Sequence, residues 1–477
     1  MKILFCSSEV SPFSKTGGLA DVAGALPKAL SKLGHDIRVI TPLYNSVKLH
    51  YKKLKLVATR DLIIIDKIKT ASYFEYKEDG VIYYFVQCDD YFKRDNLYDY
   101  YDEAERFSFF NYAILEGLPA FDFYPDIIHV NDWQTALVPY FLDELYRKKG
   151  KEYFKIKTLL TIHNLEYQGS FPMDANLLMP YQDDYTYVHF DRINFLKTGI
   201  MRASAINTVS KTYKDEIMTQ KYGFGLDGSI RSRANQTYGI VNGIDYDIYN
   251  PAFDPIIIAN YDANSFLEGK RKNKKALLDE LDFPSSSLDK PLISFIGRLA
   301  HQKGIDLMIN VLTDVIRNSD ANFILIGSGN PQYENFFNEL HLNYKERVKV
   351  WIGFNNELAR KTYAASDLFL MPSEFEPCGL GQLIAMRYGT LPIVRETGGL
   401  LDTVLPYNEY TVSGTGFSFT HYEAYDFKDA IFRGIDLYHH NKNDFDELVY
   451  NSMIQDFSTD NMALDYQELY SIIKRGY

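Results

Sequence analysis

Ile3-Leu4-Phe5-Cys6, followed by Lys15-Thr16-Gly17-Gly18-Leu19-Ala20-Asp21-Val22, is a short apolar run, a glycine pair and the start of a periodic segment. The apolar run reads as a buried strand. Leu19, Val22, Ala23, Leu26 and Leu30 recur at helical spacing, so a helix follows the glycines. Pro27 falls inside that pattern and is expected to kink it or to mark a misread first turn. Asp36-Ile37-Arg38-Val39-Ile40 is the next strand. Strand, helix, strand is the unit of a parallel sheet.

The alternation continues outward from this unit. Strands are expected near residues 55–65, 72–77 and 81–87, at 127–130, at 159–162 and at 205–209. Helices are expected over 107–118 and about 135–147, and Ser210 is placed to cap a further one. The pattern restarts after about residue 245. Runs at 292–296, 323–326, 348–352, 367–371 and 391–394 read as strands, with helices from about Gly304 and from about Gly381 to Tyr388. A turn-rich stretch from Asn242-Gly243-Ile244-Asp245 to Asn250-Pro251 divides the two series. The expected fold class is α/β, with two Rossmann-like doubly wound domains. Open α/β sheets bind ligands beyond the carboxyl ends of their strands, so the cleft facing both domains is the expected site.

Composition limits the function. The chain has 477 residues, 51 basic and 63 acidic side chains and a formal charge of −12. An acidic chain is a poor general nucleic-acid binder, although a local basic pocket still suits a small anion. The aromatic share is 15%, with 38 Tyr and 32 Phe, and these residues stack on sugars or fill cores. Cys6, Cys88 and Cys378 have no metal-ligand spacing and cannot all pair, which fits a reducing cytoplasm. The apolar start is too short for a leader, and no segment approaches a membrane span. A soluble, cytoplasmic protein without membrane partners is expected.

Several stretches carry chemistry. Lys15-Thr16-Gly17-Gly18 offers backbone N–H groups, a helix start and a cation. It reads either as a phosphate site or as a glycine turn with a solvated lysine. Gly297-Arg298 to Lys303-Gly304 places two cations in a loop leaving a strand, either to neutralise a diphosphate or as an exposed basic loop. Glu374-Phe375-Glu376-Pro377-Cys378-Gly379-Leu380-Gly381 sets carboxylates before a glycine-rich helix start, for sugar and phosphate binding or for capping alone. His163-Asn164 and Asp132-Trp133 each follow a strand; Trp133 either stacks on a sugar or packs in the core. Asp245-Tyr246-Asp247 has the Asp-x-Asp form of metal-dependent sugar transferases, but lies in the linker and reads as turn chemistry.

Together these pieces resemble the bacterial glycogen synthase and plant starch synthase family. The resemblance begins at Lys15–Val22. It recurs at His129-Val130-Asn131-Asp132-Trp133, at Thr161-Ile162-His163-Asn164-Leu165 with Tyr167-Gln168-Gly169, and at Val241-Asn242-Gly243-Ile244-Asp245. It continues through Gly297-Arg298-Leu299 with Gln302-Lys303-Gly304, Glu376-Pro377-Cys378-Gly379-Leu380, Met386-Arg387-Tyr388-Gly389-Thr390 and Thr397-Gly398-Gly399-Leu400 with Asp402-Thr403-Val404.

The resemblance implies an acceptor-side domain at 1–243, a nucleotide-sugar domain at 244–455, and a C-terminal helix, 456–477, crossing back to the first domain. It implies a GT-B glycosyltransferase that moves glucose, with retention, from ADP-glucose to the non-reducing end of an α-1,4-glucan such as glycogen, without cofactor or metal. By this resemblance Lys15, Arg298 and Lys303 contact the diphosphate. Asp132, His163, Asn164, Asn242, Glu376 and Cys378 line the glucose pocket. Gly17, Gly18, Asp21, Gly379, Leu380 and Gly381 contribute to substrate binding, and Thr397, Gly398 and Gly399 lie near the nucleotide. Two departures stand out: Gly381 where the family usually has Thr, which loses one phosphate contact, and Phe354 where Tyr is frequent near the base. The alternatives are a related transferase with another donor or acceptor, and a non-catalytic glucan-binding protein on the same scaffold.

Overall fold

The computed structural model describes residues 1–50, 53–182 and 184–476. The chain forms two compact units, Met1–Gly243 with Thr459–Tyr477, and Ile244–Ser458.

The first unit is built on β1 (Lys2–Cys6), β2 (Asp36–Pro42), β3 (Lys55–Ile64), β4 (Lys67–Glu78), β5 (Val81–Gln87), β6 (Ile127–Asn131) and β7 (Lys157–Ile162). Three short strands follow, β8 (Ser170–Phe171), β9 (Val188–His189) and β10 (Arg192–Asn194), then β11 (Ala205–Thr208) and β12 (Thr237–Gly239). The main sheet has the order β12-β11-β7-β6-β1-β2-β5-β4-β3, and β8, β10 and β9 form a small separate sheet. From β12 to β5 every pairing is parallel; β5, β4 and β3 run antiparallel at the edge. The central strands are apolar without alternation because both faces are covered: Ile3, Leu4, Phe5 and Cys6 are all fully buried.

The second unit contains β13 (Leu292–Ile296), β14 (Asn322–Gly327), β15 (Val348–Ile352), β16 (Leu368–Met371), β17 (Leu391–Arg395) and β18 (Phe417–Phe419). Its sheet is entirely parallel, in the order β15-β14-β13-β16-β17-β18. That is the doubly wound order whose winding reverses at one point. Here the reversal lies at β13 and β16; in the first unit it lies at β1 and β6.

The helices used below are α1 (Gly18–Lys32), α2 (Glu103–Ala120), α3 (Ile305–Asn318), α4 (Gly381–Arg387), α5 (Gly398–Thr403) and α6 (Thr459–Arg475). The expected break at Pro27 is absent. α1 runs through it, with Leu26, Ala29 and Leu30 buried around it. The helix expected over 135–147 is instead three pieces, Asp132–Thr135, Val138–Phe141 and a π-helical turn at Leu142–Tyr146. Pro139 cannot donate a helical hydrogen bond and sits at the start of the second piece. Ser210 does cap: its Oγ accepts the Tyr213 N–H at 3.2 Å. Asp245 Oδ1 accepts the Asp247 N–H at 2.8 Å, an Asx turn, so the Asp-x-Asp is turn chemistry. No described helix is long and apolar enough to cross a membrane.

Candidate functional site

The winding reversal opens a crevice beyond the carboxyl ends of two adjacent strands. In the first unit those strands are β1, which leads into the Ser7–Gly18 loop, and β6, which leads into Asp132. The loop is folded around a residue the sequence reading did not single out. Glu9 is 4% exposed, and its Oε2 accepts the Thr16 N–H at 2.5 Å and the Gly17 N–H at 3.2 Å. Thr16 Oγ1 donates to Oε1 at 3.0 Å, and Tyr98 OH donates to the same oxygen at 3.2 Å. Burial pushes the Glu9 pKa up, against these hydrogen bonds. Gly17 is the extended residue before α1, and both Gly17 and Gly18 are exposed. Lys15 is exposed too, and its Nζ lies 2.6 Å from Asp21 Oδ1.

Asp132 has φ +55, a conformation Asp tolerates better than most residues. Its Oδ1 accepts the His163 N–H at 2.7 Å from the end of β7. Desolvation raises its pKa to about 7, with the nearby Glu9 charge adding to the shift. Desolvation lowers that of His163 to about 3, so the imidazole is neutral. Its tautomer follows from its neighbour. Asn131 Nδ2 donates to Cys6 O at 3.0 Å, which turns Oδ1 toward His163 Nε2 at 2.9 Å. Nε2 therefore carries the hydrogen, and Nδ1 keeps a lone pair able to accept from a hydroxyl. Asn164 Oδ1 accepts the Glu166 N–H at 3.0 Å. Trp133 is core: it packs edge-on to Phe107 and Phe171, and a Cβ on Gly169 would lie 2.4 Å from its ring. Asn242 is buried, with Oδ1 lacking a partner among the described residues.

In the second unit the reversal strands are β13, leading to Arg298 and Lys303, and β16, leading to Glu374 and Glu376. Glu376 is buried. Its Oε2 takes Lys303 Nζ at 2.5 Å and Ser373 Oγ at 3.0 Å, while Oε1 makes no hydrogen bond with a described residue. Arg395, also buried, braces this loop by donating to the Ser373 carbonyl at 2.9 Å and to that of Glu374. Gly304 has φ +70, and a Cβ there would lie 2.0 Å from the Pro372 carbonyl oxygen, so the two loops touch backbone to backbone. Arg298 is exposed, and its guanidinium pairs with no described residue.

Cys378 is buried against α5: the Gly399 N–H donates to the Glu376 carbonyl at 3.1 Å, and a Cβ on Gly399 would lie 2.2 Å from Cys378 O. Gly398 has φ +44, Gly379 has φ +76, and Thr397 and Leu380 are the residues preceding α5 and α4. The space beside Gly381 is filled: a Cβ would meet the Phe369 ring at 3.1 Å and Met371 Sδ at 3.4 Å. Phe354 is 84% exposed in the loop after β15.

Of the residues named from the sequence, Lys15, Gly17, Gly18, Asp21 and Asp132 follow β1 and β6, and Arg298, Lys303 and Glu376 to Gly381 follow β13 and β16; His163, Asn164, Asn242, Phe354 and Thr397 to Gly399 lie beyond other strands. The sequence reading misses Glu9, Tyr98, Asn131, Ser373 and Arg395. Glu9 was findable as a carboxylate just beyond β1; Tyr98 acts across 89 residues of chain and leaves no local signal. Among the described residues no group of three or more His, Cys, Asp or Glu side chains is placed to hold a metal ion.

Comparison with known proteins identifies the family and the fold. Residues 2–232 match the family described as starch synthase catalytic domain, and residues 279–446 match glycosyl transferases group 1. The chain is 51% identical over 474 residues to the glycogen synthase of Acholeplasma laidlawii, covering 99% of both chains. It is 47% identical to that of Bacillus cereus strain B4264, covering 98% of this chain and 99% of the relative. The catalytic domain of starch synthase IV from Arabidopsis thaliana, bound to ADP and acarbose, superposes with a TM-score of 0.91 at 32% identity over 99% of each chain. A sucrose-phosphate synthase from Thermosynechococcus elongatus shares the fold, with a TM-score of 0.62 at 17% identity, over 99% of this chain and 98% of that one.

Proposed function

Because the chain belongs to the glycogen and starch synthase family, we propose that its donor is ADP-glucose and that glucose passes with retention to the non-reducing end of an α-1,4-glucan. It is a glycosyltransferase with the glycogen synthase function of that family. The choice of ADP is supported by the starch synthase relative, whose structure holds that nucleotide.

The observation that carries the chemistry is the pair of buried Glu376 and half-buried Lys303 at the winding reversal. As the sugar C1–O bond breaks, negative charge grows on the leaving diphosphate and positive charge on the sugar. Lys303, Arg298 and Lys15 are the groups for the diphosphate, where positive charge stabilises the leaving group. Glu376 Oε1 and His163 Nδ1 are acceptors for sugar hydroxyls. In this reading Glu376 holds the sugar, with Oε2 fixed by Lys303 and Ser373, and the acceptor hydroxyl attacks from the leaving-group face. Trapping a glucosyl ester on Glu376 would reverse that assignment. Asp132, Asn164, Asn242 and Cys378 complete the sugar contacts; Gly17, Gly18, Asp21, Gly379, Leu380 and Gly381 serve substrate binding; Phe354, Thr397, Gly398 and Gly399 serve the nucleotide. With three cations for the diphosphate, the reading assigns no resident metal. A cytoplasmic setting belongs to the same reading, supported by Cys6, Cys88 and Cys378 forming no disulfide.

The test supplies labelled ADP-glucose or UDP-glucose with glycogen, with and without EDTA. Label enters polymer from ADP-glucose at an undiminished rate in EDTA. Incorporation only from UDP-glucose replaces the donor, loss in EDTA overturns metal independence, and no incorporation from either overturns the reading.

A further inference from the structure

We infer that Glu9 is a positioning residue for glucosyl transfer, a carboxylate built into the loop's own anion pocket so that Lys15 is held ready for the donor. The inference rests on the role proposed above for Lys15.

A glycine turn at a helix start is an anion site because successive N–H groups point into it. Here the anion is already present and belongs to the chain. Glu9 receives the Thr16 and Gly17 N–H groups, the Thr16 hydroxyl and the Tyr98 hydroxyl. Tyr98 is itself fixed by Ser8, whose Oγ lies 2.7 Å from its OH. Glu9 has no salt bridge to a described cation; Lys15 pairs with Asp21 instead. A buried carboxylate without a counter-cation is costly unless it is hydrogen-bonded, and here four donors converge on one side chain to hold it in a single orientation. Simple loop closure needs no ion: a neutral side chain of the same size closes a turn at lower desolvation cost.

A donor phosphate does not take the Thr16 and Gly17 amides, because Glu9 fills them, and Gly17 serves the donor instead by leaving its exposed face free of a side chain. What the loop offers outward is the Lys15 ammonium and the exposed Gly18, at the orphan-donor end of α1.

The experiment is a double-mutant cycle on the full chain with ADP-glucose and glycogen, reading kcat and KM separately beside the thermal midpoint. Lys15→Ala lowers kcat by about 100-fold or more, the scale for losing one transition-state charge contact. Glu9→Gln keeps the size and removes the charge, its carbonyl oxygen taking the two backbone N–H groups and its NH2 facing the Thr16 and Tyr98 hydroxyls, and it lowers kcat by about 10-fold with the KM for glycogen unchanged. Because Glu9 acts through Lys15, the double variant is no slower than Lys15→Ala, within about twofold. Thr16→Val removes one donor and gives a smaller, equally non-additive loss, which decides the matter if Glu9→Gln fails to fold. Full activity in Glu9→Gln or Thr16→Val, or multiplicative losses in the double variants, overturns the inference. Full activity in Lys15→Ala overturns the role of Lys15 and the inference together, and is thereby distinguished from failure of the inference alone.

Discussion

Asp132 is a carboxylate shielded from solvent in a left-handed backbone conformation, with pKa raised to about 7. The folded state therefore binds its proton more tightly than the unfolded chain, whose Asp titrates near 4. As pH rises from about 4 to about 7, the unfolded chain gives up this proton first, so the contribution of Asp132 to stability falls across that window and is level above it. Asn keeps the left-handed preference and an acceptor for the His163 N–H but does not titrate. The expected outcome is that the thermal midpoint of Asp132→Asn, relative to the parent, is higher at pH 8 than at pH 4 by a few degrees, about 2–6 °C. A difference constant over that range would contradict the assigned shift. At this scale the sequence is legible where a residue directly follows a strand, as Asp132 follows β6 and His163 follows β7. It is silent on partners supplied from afar: Glu9 gains Tyr98 only through folding, and Asn131, which sets the His163 tautomer, reads as an ordinary strand residue.

Elements were legible in proportion to the apolar run that builds them. The parallel strands β1, β6, β13, β14 and β16 are buried on both faces and stand out as unbroken apolar stretches. The direction of β3, β4 and β5 was not legible, because periodicity reports burial of a face and not the sense of a neighbour. Glycines say most where backbone meets backbone. A Cβ on Gly399 would stand 2.2 Å from Cys378 O and 2.4 Å from Cys378 Cα, and neither atom can rotate away. Gly399→Ala is expected to separate α5 from the Cys378 turn and to cost about 3 kcal/mol or more, as strong overpacking does. Gly381 is milder, since its neighbours are the side chains of Phe369 and Met371. Gly381→Ala costs about 1 kcal/mol, and Gly381→Thr costs more unless Phe369 is made smaller. Urea unfolding of the three variants checks the order. Equal midpoints for Gly399→Ala and Gly381→Ala would mean the close approach is not fixed. The packed environment also explains the departure itself: in this chain a threonine side chain at 381 has no room until its neighbours move.

The first unit is discontinuous in sequence, since Met1–Gly243 is completed by Thr459–Tyr477. α6 packs against α1 and brings Met462, Ala463, Tyr466, Leu469, Tyr470 and Ile473 into the core. Its polar contacts reach two parallel strands: Tyr470 OH lies 2.8 Å from His129 Nδ1 on β6, Asn207 on β11 donates to Tyr466 OH at 3.0 Å, and Lys474 lies 2.9 Å from Asp126, just before β6. His129 completes the set through Thr161 Oγ1 on β7 at 2.7 Å. Burying a large apolar side chain is worth about 1.5–3 kcal/mol, so the five large ones on α6 contribute about 8–15 kcal/mol. That equals the whole net stability of an ordinary domain, about 5–15 kcal/mol. A chain ending at Ser458 is therefore expected to leave the first unit unfolded, while Ile244–Ser458, which is continuous and has its own core, keeps its cooperative transition. Calorimetry of the truncated chain checks this: one transition is expected to disappear and one to remain. Tyr470→Phe isolates the polar part, since it keeps the ring and leaves His129 Nδ1 buried without its partner. The cost is about 1–3 kcal/mol in the first unit alone. An unchanged midpoint in Tyr470→Phe would show that the contact between Tyr470 and His129 adds nothing to the stability of the first unit.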